Sequence, residues 1–465
     1  MVRLAMSKIM RFLLVLALAV FLTGCGKGSG GTEDSVDSTV HKLPDTLRVV
    51  TLYSPSSYFL YRDAPMGYDY TLIADFARAK GMVLDLSVAP GLSRAMDMLY
   101  GGLVDVVAFE VPVTAENRRR VAFAGPENFT HQVLVQPRSD SVITDVTGLV
   151  GRDIYVPERS KYYHRLHNLD SELGGGIRIH AISSDSLTEE DLLDQVASGK
   201  LPLTVVDSDI ARLNKTYYRN LDITLALSFD QKSQWAVRPS DAWLADSIDS
   251  YFGDDNPRRV VSMEYRRYYE LSKALPRRLA YDLSSGKISP YDNLFRTYAE
   301  QIGWDWRLLA SQGYVESQFD GTLVSWAGAR GIMQIMPSTA RANGVSPDDL
   351  TDAETSIRVA VKVIKATDKY LQRYVSDPQE RLLFDLAAYN SGVAHIIDAI
   401  ALAEKYGLNP EKWYDNVEKA LLMKGNPEYY NDPVVKYGYF RGRQTTEYVR
   451  SVSEFYNKTL EKIKK

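Results

Sequence analysis

The apolar pattern of this chain changes period once, near residue 240, and that change limits what the chain can fold into. Upstream, short apolar runs alternate with amphipathic stretches. Residues 47–53, 82–88 and 104–109 read as strands, with helices over 69–80, closed by Gly81, and over 92–100. A second set has strands at 153–156, 177–182 and 203–206, with helices between them. Such alternation requires a mostly parallel sheet with helices on both faces, and two sets in series predict two α/β lobes across a cleft. Downstream, residues 290–465 are nearly all helix. Leu294, Tyr298 and Ile302 recur at i, i+4 and i+8, Pro337 suits a first helical turn, and 352–374, 378–388 and 393–403 follow as helices. The expected fold is multidomain, a two-lobed α/β domain followed by a mostly α domain.

The start of the chain lies outside both. Arg3, Lys8 and Arg11 precede an apolar run over 12–22 that is short for a spanning helix and gives way to small residues. The run closes with Leu22-Thr23-Gly24-Cys25, which resembles the lipobox of bacterial lipoproteins. Residues 1–24 are therefore expected to be a lipoprotein signal peptide, and Cys25 a lipidation site that ties the protein to a membrane. The glycines at 24, 26 and 28 argue against the other reading of Cys25, a residue buried in a core. Gly26 rather than aspartate after Cys25 favours the outer membrane, with the protein facing the periplasm. Cys25 is the one cysteine among 465 residues, so no disulfide can form within the chain and the fold must rest on apolar cores.

Residues 25–44 are rich in Gly, Ser, Thr and Asp, lack aromatics, and read as a flexible tether. The α/β domain is then expected over 45–240 and the helical domain over 286–465. Between them, 241–285 reads as a helical connector carrying Arg258-Arg259 and Arg277-Arg278, basic doublets that suit either a solvated face or contact with anionic cell wall. A net charge of −4 with no basic stripe gives no sign of a nucleic-acid partner. No H-E-x-x-H spacing occurs, residues 254–257 lack the ligand spacing of a calcium loop, and no glycine-rich phosphate cradle appears. No metal and no cofactor are expected.

The strongest chemical signal lies in the helical half. Glu316 ends an apolar helical stretch with Trp306, Leu308, Leu309 and Ala310, in the run Gly313-Tyr314-Val315-Glu316-Ser317-Gln318-Phe319. Desolvation there raises a carboxyl pKa, as a general acid near neutral pH requires. Gly328-Ala329-Arg330-Gly331-Ile332-Met333-Gln334-Ile335-Met336-Pro337 and Ala387-Ala388-Tyr389-Asn390-Ser391-Gly392 follow. These three ordered motifs resemble the lysozyme-like catalytic domain of the lytic transglycosylases, which cut peptidoglycan glycan strands.

The resemblance implies a mechanism with one carboxyl. Glu316 would protonate the oxygen between N-acetylmuramic acid and N-acetylglucosamine. As a carboxylate it would then take the C6 hydroxyl proton as a 1,6-anhydro ring closes. The matching positions imply substrate contacts at Ser325, Gln334, Met336, Tyr389, Asn390 and Tyr448, with the Tyr389 hydroxyl approaching the acid and Asn390 holding its loop. Gln334 and Met336 also suit plain packing. Asp320 is the nearest candidate for the second carboxylate of a hydrolase, but Gly321 beside it favours a turn. A lysozyme-type hydrolase is one alternative. A muropeptide-sensing receptor with a vestigial catalytic domain is another.

The α/β half resembles extracellular solute-binding proteins of the polar amino-acid type, the periplasmic-binding-protein fold. Gly67-Tyr68-Asp69-Tyr70, Gly102-Leu103-Val104-Asp105-Val106 and Thr114-Ala115-Glu116 carry the likeness. It implies a ligand amine at Asp207, which alternatively caps the following helix. The likeness also places an arginine for a ligand carboxylate where this chain has Asn117. Arg118 is adjacent, but a regular turn points it elsewhere. A ligand gripped differently from a free amino acid is implied, with a muropeptide as the candidate.

Overall fold

The computed structural model describes residues 43–183, 188–273, 283–284 and 286–463. The expected signal peptide, Cys25, nearly all of the tether, and residues 274–282 and 285 of the expected connector lie outside the described residues.

The first lobe grows around β1 (Thr46–Leu52), where Leu47, Val49 and Val50 are all wholly buried. Burial of successive residues marks a strand covered on both faces. The hairpin β2 (Phe59–Tyr61) and β3 (Ala64–Met66) follows, then α1 (Tyr68–Ala79), β4 (Val83–Ala89), α2 (Leu92–Tyr100) and β5 (Val106–Pro112). β6 (Ala122–Thr130) passes directly into β7 (Gln132–Pro137), the first crossing to the second lobe. That lobe holds β8 (Asp153–Pro157), α3 (Lys161–Glu172), β9 (Arg178–Ile182), α4 (Glu189–Ala197), β10 (Thr204–Asp207), α5 (Ser208–Lys215) and β11 (Leu221–Asp222). β12 (Gln231–Val237) returns to the first.

The sheets run β4-β1-β5-β12-β6 and β11-β7-β10-β8-β9. β1 pairs parallel with β4 and β5, and β8 parallel with β9 and β10. The remaining pairs, made by β6, β7, β11 and β12, are antiparallel, so a mostly parallel sheet describes only part of each lobe. The cause is connectivity. β6 leads out of the first lobe and β12 leads back into it, so the two lie side by side in opposite directions.

The segment expected as a connector splits in two. α6 (Ala242–Gly253) packs on β6 and puts Leu244, Ala245, Ile248 and Phe252 into the first-lobe core with Leu47, Phe76 and Trp235, so it belongs to that lobe. Its apolar face has an uncovered side of the sheet to bury, a stronger pull than its charged ends. α7 (Asp255–Tyr269) leans on α1 and α5, one from each lobe.

The helical half comprises α8 (Asp292–Ala299), α9 (Trp306–Ser317), α10 (Pro337–Ala342), α11 (Ala353–Leu371), α12 (Pro378–Ser391), α13 (Val393–Lys405), α14 (Glu418–Met423), α15 (Pro427–Tyr430) and α16 (Arg443–Lys462). Every residue of α9 is buried, and α16 packs along both α9 and α12. From Leu43 onward the chain forms one compact unit. A cluster of Met66, Leu213, Tyr268, Tyr269, Ala327, Ala329 and Met336 joins hairpin, second lobe, α7 and helical half. Arg441 binds Asp194 at 2.7 Å, and Tyr439 donates to Glu190 at 2.9 Å. Among the described residues, no helix is long and apolar enough to cross a membrane.

Candidate active site

α9 starts at Asp305, whose carboxylate accepts from Arg307 N at 2.9 Å, and ends just past Glu316. Gln318 (φ 54°) and Phe319 (φ 66°) turn left-handed there, a conformation that non-glycine residues hold only when packing fixes it. Ser317 Oγ donates to Ile332 O at 2.8 Å and so ties the helix end to the 328–337 loop. Gly331 is required in that loop. Its φ is +77°, and an added Cβ would lie 2.0 Å from Leu350 O. Ser356, wholly buried, accepts from Met333 N at 3.1 Å and holds the loop from the other side.

Glu316 is 8% exposed. Burial raises its carboxyl above the ordinary value, against opposing effects of the Arg62 charge and of hydrogen bonds from Tyr448 and Arg62. Tyr448 on α16 donates to Oε1 at 2.8 Å. Arg62 Nη2 reaches Oε1 at 3.1 Å and Oε2 at 3.0 Å.

Arg62 comes from the first lobe, 254 residues away in sequence. It and Asp63 form the two-residue turn of the β2–β3 hairpin, with φ of 50° and 58°. Two positive φ values match the twist that a tight hairpin needs. Arg62 N donates to Ser391 O at 3.0 Å, and Arg62 Nη1 donates to Gln334 O. Its guanidinium lies 5.5 Å from the centre of the Tyr389 ring. Asp63 accepts from Val393 N at 3.0 Å and Ala394 N at 3.1 Å, capping α13, and His395 Nε2 lies 3.1 Å from Leu60 O. The hairpin thus seats its tip on the 387–392 motif. Beside Arg62 remains a cavity of ≈ 200 Å³, lined by Gln334, Met336, Tyr389 and Val393 among others.

The sequence-derived residues divide around this centre. Tyr448 contacts the acid. The Tyr389 hydroxyl instead donates to Met333 O at 2.7 Å, because the loop carbonyl lies in its path. Ser325 Oγ accepts from Ala329 N at 3.0 Å, closing its own turn rather than meeting Glu316. The Gln334 side chain donates to Leu323 O at 3.0 Å and Gly331 O at 2.9 Å, and the residue lines the cavity. Met336 is buried and lines that cavity. Asn390 Oδ1 accepts from Thr445 Oγ1 at 2.8 Å, joining α12 to the start of α16. Asp320 is exposed and bonded to Thr322 N at 2.8 Å, in a turn. Arg62 and Asp63 were missed. Their only local signal is a short hairpin, and nothing in it points to a helix more than 250 residues on.

A second cavity, ≈ 400 Å³, opens between the lobes. The first lobe contributes Tyr53, Glu110 and Ser233, the second Lys161, Glu189, Glu190, Asp207 and Asp209, and the helical half Tyr430 and Tyr439. Asp207 pairs with Lys161; it stands at the N-cap of α5 without a side-chain cap bond, so the capping alternative fails on geometry. Asn117 donates to Pro112 O at 2.9 Å, Arg118 is exposed, and neither lines the cavity.

Residues 293–411 match the Transglycosylase SLT domain family. The chain is 31% identical over 414 residues to a protein of Desulfosudis oleivorans named membrane-bound lytic murein transglycosylase F, covering 88% of each. It is also 31% identical over 427 residues to a protein of that name from Pseudomonas putida, covering 90% of this chain and 86% of the relative. Among solved structures, the L-cystine solute receptor of Neisseria gonorrhoeae in its unliganded open conformation aligns with half of the chain. The alignment spans 50% of this chain and 95% of the receptor, at 16% identity and a TM-score of 0.41. The two-lobed layout rests on the strand topology above rather than on that alignment.

Proposed function

The chain belongs to the membrane-bound lytic murein transglycosylase F family, and from that membership we propose that it cleaves the β-1,4 bond between N-acetylmuramic acid and N-acetylglucosamine without water. Glu316 is the acid. It gives its proton to the glycosidic oxygen as the bond to the muramic C1 breaks. The carboxylate then removes the C6 hydroxyl proton while that oxygen bonds C1, giving a 1,6-anhydro end and restoring Glu316. One group acting as acid and then base needs a pKa raised toward neutrality, which burial at the end of α9 supplies. The observation that carries the reading is this buried acid, bonded by Tyr448 and backed by the loop that Ser317, Gly331 and Ser356 hold. Tyr389 and Gln334 act by shaping the loop, and Met336 offers an apolar wall to a sugar face.

Digestion of purified glycan strands followed by mass measurement of the products tests the reaction. Anhydro ends are expected; products one water heavier would establish hydrolysis instead.

The arrangement described above is a resting one. In it Arg62 pairs with Glu316, the hairpin tip sits on the 387–392 motif, and the acid is buried. The solute-binding-like half therefore regulates the catalytic half, and a cell-wall fragment such as a muropeptide, bound between the lobes, withdraws the hairpin. Such control requires the ligand to bind the open arrangement better than the closed one. Membrane attachment through lipid on Cys25, on the periplasmic side of the outer membrane, completes the reading.

A further inference from the structure

The interlobe cavity carries an unusual balance of charge. Glu110, Glu189, Glu190, Asp207 and Asp209 line it, and among the described residues no arginine does. Its two lysines are already engaged, Lys161 with Asp207 and Lys232 with Glu127. Zwitterion capture needs a cation for the ligand carboxylate, and this lining offers none that is uncommitted.

Three further observations point to a missing donor. Ser233 is 7% exposed, lines the cavity, and its Oγ has no hydrogen-bond partner among the described residues. Buried Asp209 Oδ1 and Glu190 Oε1 likewise lack partners. Buried acceptors left unpaired are costly, and a ligand rich in N–H donors relieves that cost. Glu110 is held well above its ordinary carboxyl pKa, first by burial and then by repulsion from Asp209, Asp69 and Asp207. A cation placed among these groups would offset that repulsion and favour the charged carboxylate. Tyr53, Tyr430 and Tyr439 add aromatic faces and edges; Tyr53 and Tyr430 stand 6.3 Å apart, and Tyr430 and Tyr439 5.8 Å. Aromatic rings beside carboxylates favour ammonium groups.

We propose that the interlobe cavity recognises its ligand through a primary ammonium group, so that the end entering between Glu110, Asp209 and Ser233 is an alkylamine without a carboxylate. Asp207, the position suggested by the solute-binding resemblance, is secondary because Lys161 occupies it. This rests on the reading that the cleft holds a ligand, and it narrows that ligand to amine-bearing molecules, including peptides with a free side-chain amine. Because Tyr430 and Tyr439 belong to the helical half, the bound amine would touch both halves at once.

Calorimetric titration of the full chain in detergent with cadaverine, lysinamide, lysine, choline and glutamate tests it. Cadaverine and lysinamide should bind, lysine roughly tenfold more weakly because its carboxylate meets acids, and glutamate not measurably. Glu110→Gln and, as a second variant of nearly unchanged shape, Asp209→Asn should each weaken cadaverine about tenfold. Asn117→Ala, outside the lining, should leave binding unchanged. Preference for choline or glutamate, or equal binding of cadaverine by both acid variants, overturns the inference. If no amine binds but a muropeptide with acetylated side-chain amines does, the amine inference fails and the cell-wall-fragment reading stands. If neither binds, both fail.

Discussion

Two regions of this molecule bury carboxylates, and they are answered differently. At the end of α9, Glu316 meets a guanidinium carried in from the other half of the chain. Between the lobes, Glu110 and Asp209 make no ion pair among the described residues, and the nearby lysines are committed elsewhere. Burying an acid without a cation is costly in either place, because low polarizability disfavours the charged form. Where the chain supplies the cation, the acid is paired. Where it supplies none, a place is left for a ligand to supply it. On the reading proposed above, a cation arriving in the cleft is the counterpart to a cation leaving Glu316.

Removing the acid is the most severe way to break this comparison. Glu316→Gln should lower release of anhydro products by about 10²–10⁴-fold while circular dichroism shows an unchanged fold. Retained activity would take Glu316 out of the mechanism, and with it the meaning of the Arg62 pair.

Removing the cation is the next largest change, and it has the opposite sign. Arg62→Ala should raise turnover without ligand by about tenfold, the effect of roughly 1.4 kcal/mol on a closed-to-open equilibrium. The pH profile gives an independent check. The general acid must start protonated, so activity falls as pH rises through the Glu316 pKa. Arg62 lowers that pKa by its charge and its hydrogen bonds. Its loss should move the basic limb to higher pH. A fall in activity with an unmoved limb would make Arg62 part of the catalytic machinery rather than its cover.

Tyr448→Phe sharpens the same site from the other side. It removes one hydrogen bond to the carboxylate, so turnover should fall about fivefold, the scale of a 1 kcal/mol contact. The basic limb should again move upward, because that bond favours the charged form. Together the two variants separate a group that blocks from one that assists, since only one of them should speed the reaction.

Asp385 on α12 provides a third buried acid with neither answer, and its effect on turnover should be the smallest. It is 1% exposed, both carboxylate oxygens lack hydrogen-bond partners among the described residues, and burial pushes it up to about 8. Its folded pKa lies above the unfolded value, so the native state holds a proton that the unfolded state has lost. The contribution of Asp385 to stability is therefore fully present below pH 3.8 and is lost through the window up to about 8, by at most about 1.4 kcal/mol per pH unit. Asp385→Asn should flatten that slope in denaturant melts while leaving cleavage unchanged. An unaltered slope would place the proton elsewhere.

How much of this was legible follows from what a local pattern encodes. The strands at 47–53 and 153–156, helix 92–100, and the helical half all appear close to their expected limits, because side-chain period reports which face of an element is buried. Glu316 was legible for the same reason: an acid closing an apolar helix must be desolvated wherever that helix packs. Tyr448 lay on a recognisable helix, but the sequence did not say that its hydroxyl, rather than that of Tyr389, bonds the acid. That choice turns on how α16 crosses α9 and where the Met333 carbonyl points.

Only the tertiary structure decided which lobe takes α6, which residues of three different segments surround the interlobe cavity, and that the Arg62 hairpin reaches Glu316. The physical reason is range. Period, capping and turn chemistry act over a few residues and are written in the neighbouring sequence. A contact between Arg62 and Glu316 depends instead on how two independently patterned halves settle against each other, through apolar surfaces such as Met66 on Met336 that carry no directional code. The sequence by itself determined the two halves and the burial of Glu316; the packing between them determined which cation that acid meets.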